Sequence, residues 1–156
     1  MARLVSLLGM SPGTPHTVAC LLAGEGYRLE EHVILATNPD VAREALGILS
    51  TCPCAPDGRP PGVPARVELL PFNDIREPGD LAALRRILGG ILDADSILDL
   101  TGGRKLMAVA AALEALNRGS IIVSAIISDE DYRRIRDCRE PCGKSLPWRA
   151  RLIILY

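Results

Sequence analysis

Asp99-Leu100-Thr101-Gly102-Gly103-Arg104-Lys105-Leu106-Met107 joins a short apolar run, residues 96–100, to the most strongly helical segment of the chain, residues 106–116. The stretch reads as a strand, a tight glycine turn and a helix start carrying two cations. Gly102 and Gly103 can adopt positive φ and let a ligand come against bare backbone. The free N–H groups of the helix start, with the positive end of its dipole, favour an anion, and phosphate is the obvious occupant. Two cations in succession in a first turn oppose that dipole by roughly 0.3–1 kcal/mol each, a conflict that a bound anion offsets. A plain strand-to-helix turn with Lys105 solvated is the competing reading.

The same pattern recurs upstream. Residues 3–8 form a β-type run that ends in Gly9-Met10-Ser11-Pro12-Gly13-Thr14-Pro15, and residues 16–22 read as a helix. Residues 32–36 are strand-like; Asn38 is placed to cap, and Pro39 to open, an amphipathic helix over 41–49. A proline- and glycine-rich excursion, residues 52–64, precedes a third strand over 65–72 and a helix over 81–92 that Asp80 is placed to cap. After the motif helix, Asn117-Arg118-Gly119 is a stop signal, and 120–127 is a β-branched run of the kind buried on both faces. Residues 128–147 read as irregular or briefly helical. Residues 151–155 read as a last strand, close enough in sequence to pair antiparallel with the fifth.

Strands alternating with helices predict an α/β fold: a Rossmann-like three-layer sandwich around a mainly parallel six-stranded sheet with a C-terminal antiparallel strand. In such sheets ligands sit beyond the strand carboxyl ends where the winding reverses. The loops at 9–14 and 101–105 therefore lie side by side if the first and fourth strands are neighbours.

Composition bounds the function. The chain has 156 residues, of which 48% are hydrophobic, the size of one domain over 1–156 that needs no metal or disulfide to build its core. A formal net charge of -1 and a pI near 6.1 disfavour a coat for DNA or long RNA. No signal peptide and no membrane-length apolar run is visible, so a cytoplasmic, soluble protein is expected. Of the 18 basic residues only Lys105 and Lys144 are lysines. Cys20 lies in an apolar helical pattern and reads as core. Cys52, Cys54, Cys138 and Cys142, a CxC and a CxxxC in polar loops, fit two disulfides, a zinc site or free thiols, in each case tying loop to loop.

Neither glycine loop accommodates a Walker A motif, and no Gly-x-Gly-x-x-Gly follows the first strand, which disfavours ATP hydrolysis and dinucleotide redox chemistry. Ser11 offers a hydroxyl, Lys105 a compact cation, Arg104 a planar fork, and Gly13, Gly102 and Gly103 approachable backbone. Together they suit a phosphate site that calls for no metal and no cofactor. His16 is the other proton-transfer candidate, set against a surface or capping role. Thr37, Asn38, Phe72, Asn73, Asp74, Ser128 and Asp129 follow strand ends, placed to shape base or ribose pockets or simply to act as caps and turns. Phe72 is suited to base stacking, core or dimer interface.

The pair formed by Gly9-Met10-Ser11-Pro12-Gly13 and Asp99–Met107 resembles the motifs of the CARF (CRISPR-associated Rossmann fold) family, over nearly the whole chain. Read as a stand-alone domain of that family, since no stretch is long enough to be an effector, the chain is similar to its ring nucleases. The resemblance implies a homodimer whose two crevices join across a two-fold axis around cyclic tetra-adenylate. It places the catalytic serine, lysine and arginine at Ser11, Lys105 and Arg104. Ligand contacts then fall to Gly9, Met10, Pro12, Gly13, Thr37, Asn38, Asn73, Thr101, Gly102 and Gly103. The implied reaction is metal-independent attack of a ribose 2′-OH on its own phosphodiester. A non-catalytic sensor of cyclic oligoadenylate, and a nucleotide or phospho-sugar binding domain outside CRISPR, are the competing functions.

Overall fold

The structure, a computed structural model, describes residues 1–156. Six strands, β1 (Ala2–Leu8), β2 (Leu29–Ala36), β3 (Ala65–Leu69), β4 (Ser96–Asp99), β5 (Ile121–Ile126) and β6 (Arg151–Ile154), form one sheet in the order β3-β2-β1-β4-β5-β6. All neighbours are parallel except β5 and β6, which pair antiparallel, as the sequence pattern predicts. The order reverses between β1 and β4, whose register sets Ser6 beside Asp99. That is where a doubly wound sheet opens a crevice.

Helices α1 (Thr14–Gly24) and α2 (Pro39–Thr51) cover one face, α3 (Pro78–Gly89) and α4 (Lys105–Arg118) the other, and α5 (Asp129–Asp137) follows β5. Because strand side chains alternate between faces, β1 sends Leu4 and Leu8 into the core beneath α1 and α2, and Val5 and Leu7 into the core beneath α3 and α4. Each fully buried leucine or isoleucine contributes about 1.5–3 kcal/mol relative to exposure. No helix is long and apolar enough to cross a membrane.

Local signals explain the helix ends. The Asn38 side chain accepts from the Asp40 and Val41 N–H groups at 2.9 and 3.1 Å and so caps α2. Asp80 lies inside α3, not ahead of it; its carboxylate reaches back to the N–H groups of Arg76 and Glu77 at 3.0 and 3.3 Å, and α3 starts at Pro78. Gly119, with φ of 72°, ends α4 in the left-handed conformation. Of the two readings of residues 128–147, irregular or briefly helical, the structure shows a helix, α5, because the Ser128 hydroxyl caps it and three acidic residues occupy its first turn.

Candidate functional site

The crevice is made by two loops pressed together. A Cβ on Gly102 would lie 2.5 Å from the Leu7 carbonyl oxygen, one on Gly103 would lie 2.6 Å from Leu7 Cδ1, and one on Gly9 would lie 2.5 Å from the Gly102 oxygen. Gly102 and Gly103 do not use the positive φ open to glycine: the left-handed glycines are Gly26, Gly62 and Gly119. These loop glycines are needed for close approach, since any side chain would drive the loop after β4 away from β1.

Asp99 locks the second loop from beneath. Its Oδ1 accepts from the Thr101 N–H at 2.9 Å and the Thr101 hydroxyl at 2.6 Å, and the Thr101 oxygen in turn accepts from the Ala125 N–H of β5 at 2.8 Å. The carboxylate is wholly buried, and its Oδ2 has no hydrogen-bond partner. Burial pushes its pKa up to about 6, against the pull of the Thr101 hydrogen bonds. Thr101 is thus a strut of the loop.

From this platform α4 begins. Its first turn has no capping side chain and no acidic residue, leaving N–H groups free for a ligand. Lys105 is exposed and forms no hydrogen bond or ion pair, while exposed Arg104 stands 3.8 Å from the Asp74 carboxylate. Ser11 is half-buried in the other loop; its carbonyl accepts from the Thr14 N–H at 3.3 Å, which fixes the turn into α1. Met10 is exposed, and Pro12 and Gly13 are buried.

The other candidates divide. Asn38 and Ser128 are engaged as caps, Asp74 accepts from the Ile75 N–H at 2.8 Å, and Phe72 packs against the core under α3 and α4. His16 is neither on the surface nor a cap. It is fully buried; its Nε2–H donates to the Cys52 carbonyl at 2.8 Å and its Nδ1 meets the Ser145 hydroxyl at 2.6 Å. Burial lowers its pKa, against the pull of the Cys52 hydrogen bond, and both ring nitrogens are engaged. His32, also buried, has its pKa lowered to about 3 by burial and meets Ser6 at 2.8 Å.

The cysteines pair differently from either CxC or CxxxC reading. Cys20, expected to be plain core, bonds to Cys54, and Cys52 bonds to Cys142, while Cys138 is free. The apolar setting of Cys20 concealed its partner. The second bridge ties the end of α2 to the 3-10 turn Pro141–Lys144, which carries the second lysine to the loop after β1. Lys144 ion-pairs with Glu44 and lines a pocket with Ser11 and Tyr132. Sequence reasoning named neither Glu44 nor Tyr132. The scarcity of lysine was the signal available for Lys144.

Fold and crevice define a Rossmann-like domain whose two glycine loops meet at the sheet's switch point. No family model matches the chain. It is 34% identical over 136 residues to a CRISPR system ring nuclease of Saccharolobus solfataricus, an alignment spanning 86% of this chain and 76% of that protein. The chain belongs to the CRISPR ring nuclease family of CARF proteins. Among solved structures it is similar to Can2 from Sulfobacillus thermosulfidooxidans in complex with cyclic tetra-adenylate, with a TM-score of 0.53 and 19% identity over 80% of this chain and 32% of that one. It is also similar to Enterococcus italicus Csm6 bound to cyclic hexa-2′-fluoro-hexa-dAMP, with a TM-score of 0.54 and 13% identity over 99% of this chain and 41% of that one. The chain thus spans less than half of either structure, and at these identities the likeness is one of fold.

Proposed function

We propose that the protein is a homodimeric ring nuclease that cuts cyclic tetra-adenylate into linear di-adenylate bearing a 2′,3′-cyclic phosphate, and so switches off type III CRISPR signalling. The observation that carries this reading is the uncapped start of α4, with Lys105 unpaired and Arg104 beside it, pressed against the Ser11 loop at the switch point. The kinship with a ring nuclease supplies the reaction class.

The nucleophile belongs to the substrate. When the crevice bends the ring so that a ribose 2′-OH lines up with its own 3′ phosphodiester, the 2′-oxygen bonds to phosphorus, the bond to the 5′ oxygen breaks, and the 2′ proton ends on that leaving oxygen. Atoms and charge balance without water or metal. Lys105, Arg104 and the α4 N–H groups stabilise the charge that builds on the phosphoryl oxygens, and Ser11 orients the phosphate or the 2′-OH. Two cuts of a four-membered ring give two di-adenylates.

The dimer rests on the outer face of α4. Leu106, Val109, Leu113 and Leu116 are exposed at helical spacing beside exposed Leu81 of α3, and all but Leu116 border a groove of about 470 Å³. The stripe starts one residue after Lys105. A second copy seated on it by a two-fold axis covers apolar area and brings two Lys105 side chains toward one ring.

Incubation with cyclic tetra-adenylate in EDTA tests the reading. Cleavage products with a cyclic phosphate are expected, and Lys105→Ala is expected to slow single-turnover cleavage roughly a hundredfold while retaining binding. Tight binding of a ligand that stays intact in the wild type makes the protein a sensor instead.

A further inference from the structure

A second pocket, of about 380 Å³, opens between the Ser11 loop and α5. It lies at the lower end of the range for small-molecule sites, and is sized for one nucleotide unit and not for a whole ring. Met10 and Ile135 supply apolar wall, Tyr132 an aromatic ring, and Glu44 with Lys144 a paired acid and base. Burial, with the Asp99 charge second, raises the Tyr132 phenol pKa. Because Met10, Ser11 and Pro12 of the loop after β1 line it, the pocket shares the edge of the sheet where the crevice opens.

Lys144 is held there from several directions. A Cβ on Gly13 would overlap the Lys144 carbonyl oxygen, so the turn rests directly on the loop backbone. Ser145, the next residue, is buried between His16 and Thr17, and Cys142 is bonded to Cys52. A partly exposed ion pair such as Glu44 with Lys144 contributes little stability. Fixing a lysine and a glutamate beside Ser11 makes better sense as preparation for a ligand.

We infer that this pocket holds one adenosine unit of the cyclic ligand, its base stacked on Tyr132, with Glu44 accepting from the exocyclic amine and Lys144 donating to the adjacent ring nitrogen. Adenine presents a donor, N6, beside an acceptor, N7, and a fixed acceptor and donor pair complements that edge. Stacking on an aromatic ring is worth about 1–3 kcal/mol per base. The inference rests on the cyclic oligoadenylate reading above, and the experiment separates the two.

Cyclic tetra-adenylate is titrated into Lys105→Ala protein, so that ligand survives, and 5′-AMP and 5′-CMP are titrated separately into the wild type with the Tyr132 ring followed by NMR. Adding Tyr132→Ala is expected to weaken the cyclic ligand roughly tenfold, with Tyr132→Phe within about threefold of the parent. Glu44→Gln is expected to erase a preference for 5′-AMP over 5′-CMP. Unchanged affinity in Tyr132→Ala and Glu44→Gln proteins whose circular dichroism matches the parent overturns the pocket assignment. If the cyclic ligand does not bind at all, the function reading fails alone, and 5′-AMP decides the pocket. Shifts at Tyr132 that vanish in Glu44→Gln uphold it, and their absence overturns it.

Discussion

The two helical layers hold one sheet by different means. Under α3 and α4 the buried cluster is almost wholly apolar, its one buried acid, Glu114, answered by Arg85 at 2.7 Å and Arg118 at 3.8 Å, and the outer face of α4 is apolar as well. Under α1 and α2, Ser6, His32 and Asp99 share the strand faces with Leu4, Leu8 and Ile34, and His16, Thr17 and Ser145 form a hydrogen-bonded chain sealed by two disulfides. An apolar layer is held by area and tolerates small shifts, whereas a buried polar network requires fixed geometry. Covalent bridges sit on the layer that needs that precision, and the unstapled layer offers a surface to another copy.

Breaking the bridges is the severest test of that contrast. In the chain-entropy account, closing sequence separations of 34 and 90 residues stabilises by roughly 4 and 4.5 kcal/mol. Reduction of both, or the quadruple Cys→Ser variant, is expected to lower Tm by well over 10 °C for a domain of this size. Amide exchange should accelerate first in α1, in residues 52–64 and around Pro141–Lys144. Equal loosening of α3 and α4 breaks the comparison.

Alternation of apolar strands and helices made the mainly parallel sheet and the antiparallel β6 legible, because those depend on periodicity and connection length, whereas the adjacency of β1 and β4 entered only as a condition that the structure meets. The two glycine loops are legible too; of the two properties glycine offers there, it is close approach, on Leu7, and not positive φ that excludes a side chain at Gly102 and Gly103. Long-range partners were not legible. Cys20 with Cys54, His16 with Ser145, and Lys144 with Glu44 join residues separated by 34, 129 and 100 positions. No local pattern marks such pairs, and a cysteine or histidine inside an apolar run looks like core until its partner is seen.

The apolar layer is probed by Leu113→Glu. Leu113 is 58% exposed in one chain, so the substitution leaves the fold of that chain intact, yet it places a charge at the centre of the proposed two-fold contact. Mass measurement in solution is expected to show the dimer weakened by roughly two orders of magnitude, with cleavage at low protein concentration falling alongside it. A dimer that persists unchanged moves the interface off α4.

The polar layer is sharpened most finely at Asp99. A carboxyl whose folded pKa is raised, here from 3.8 to about 6 by burial, binds its proton more tightly when folded. The stability this contributes is fully present below the unfolded value and is lost as pH rises to about 6, a change of about 2–3 kcal/mol. Asn has no such slope, and its Oδ1 can still receive both Thr101 hydrogen bonds. Other groups, His32 above all, slope the opposite way below pH 6.5, so the informative quantity is the difference between the two proteins. Urea unfolding at pH 4 and pH 7.5 is expected to show Asp99→Asn gaining about 2–3 kcal/mol on the wild type between those values. A difference that stays constant with pH means that the carboxylate is paired, and that the polar layer carries no uncompensated charge beneath the lysine loop.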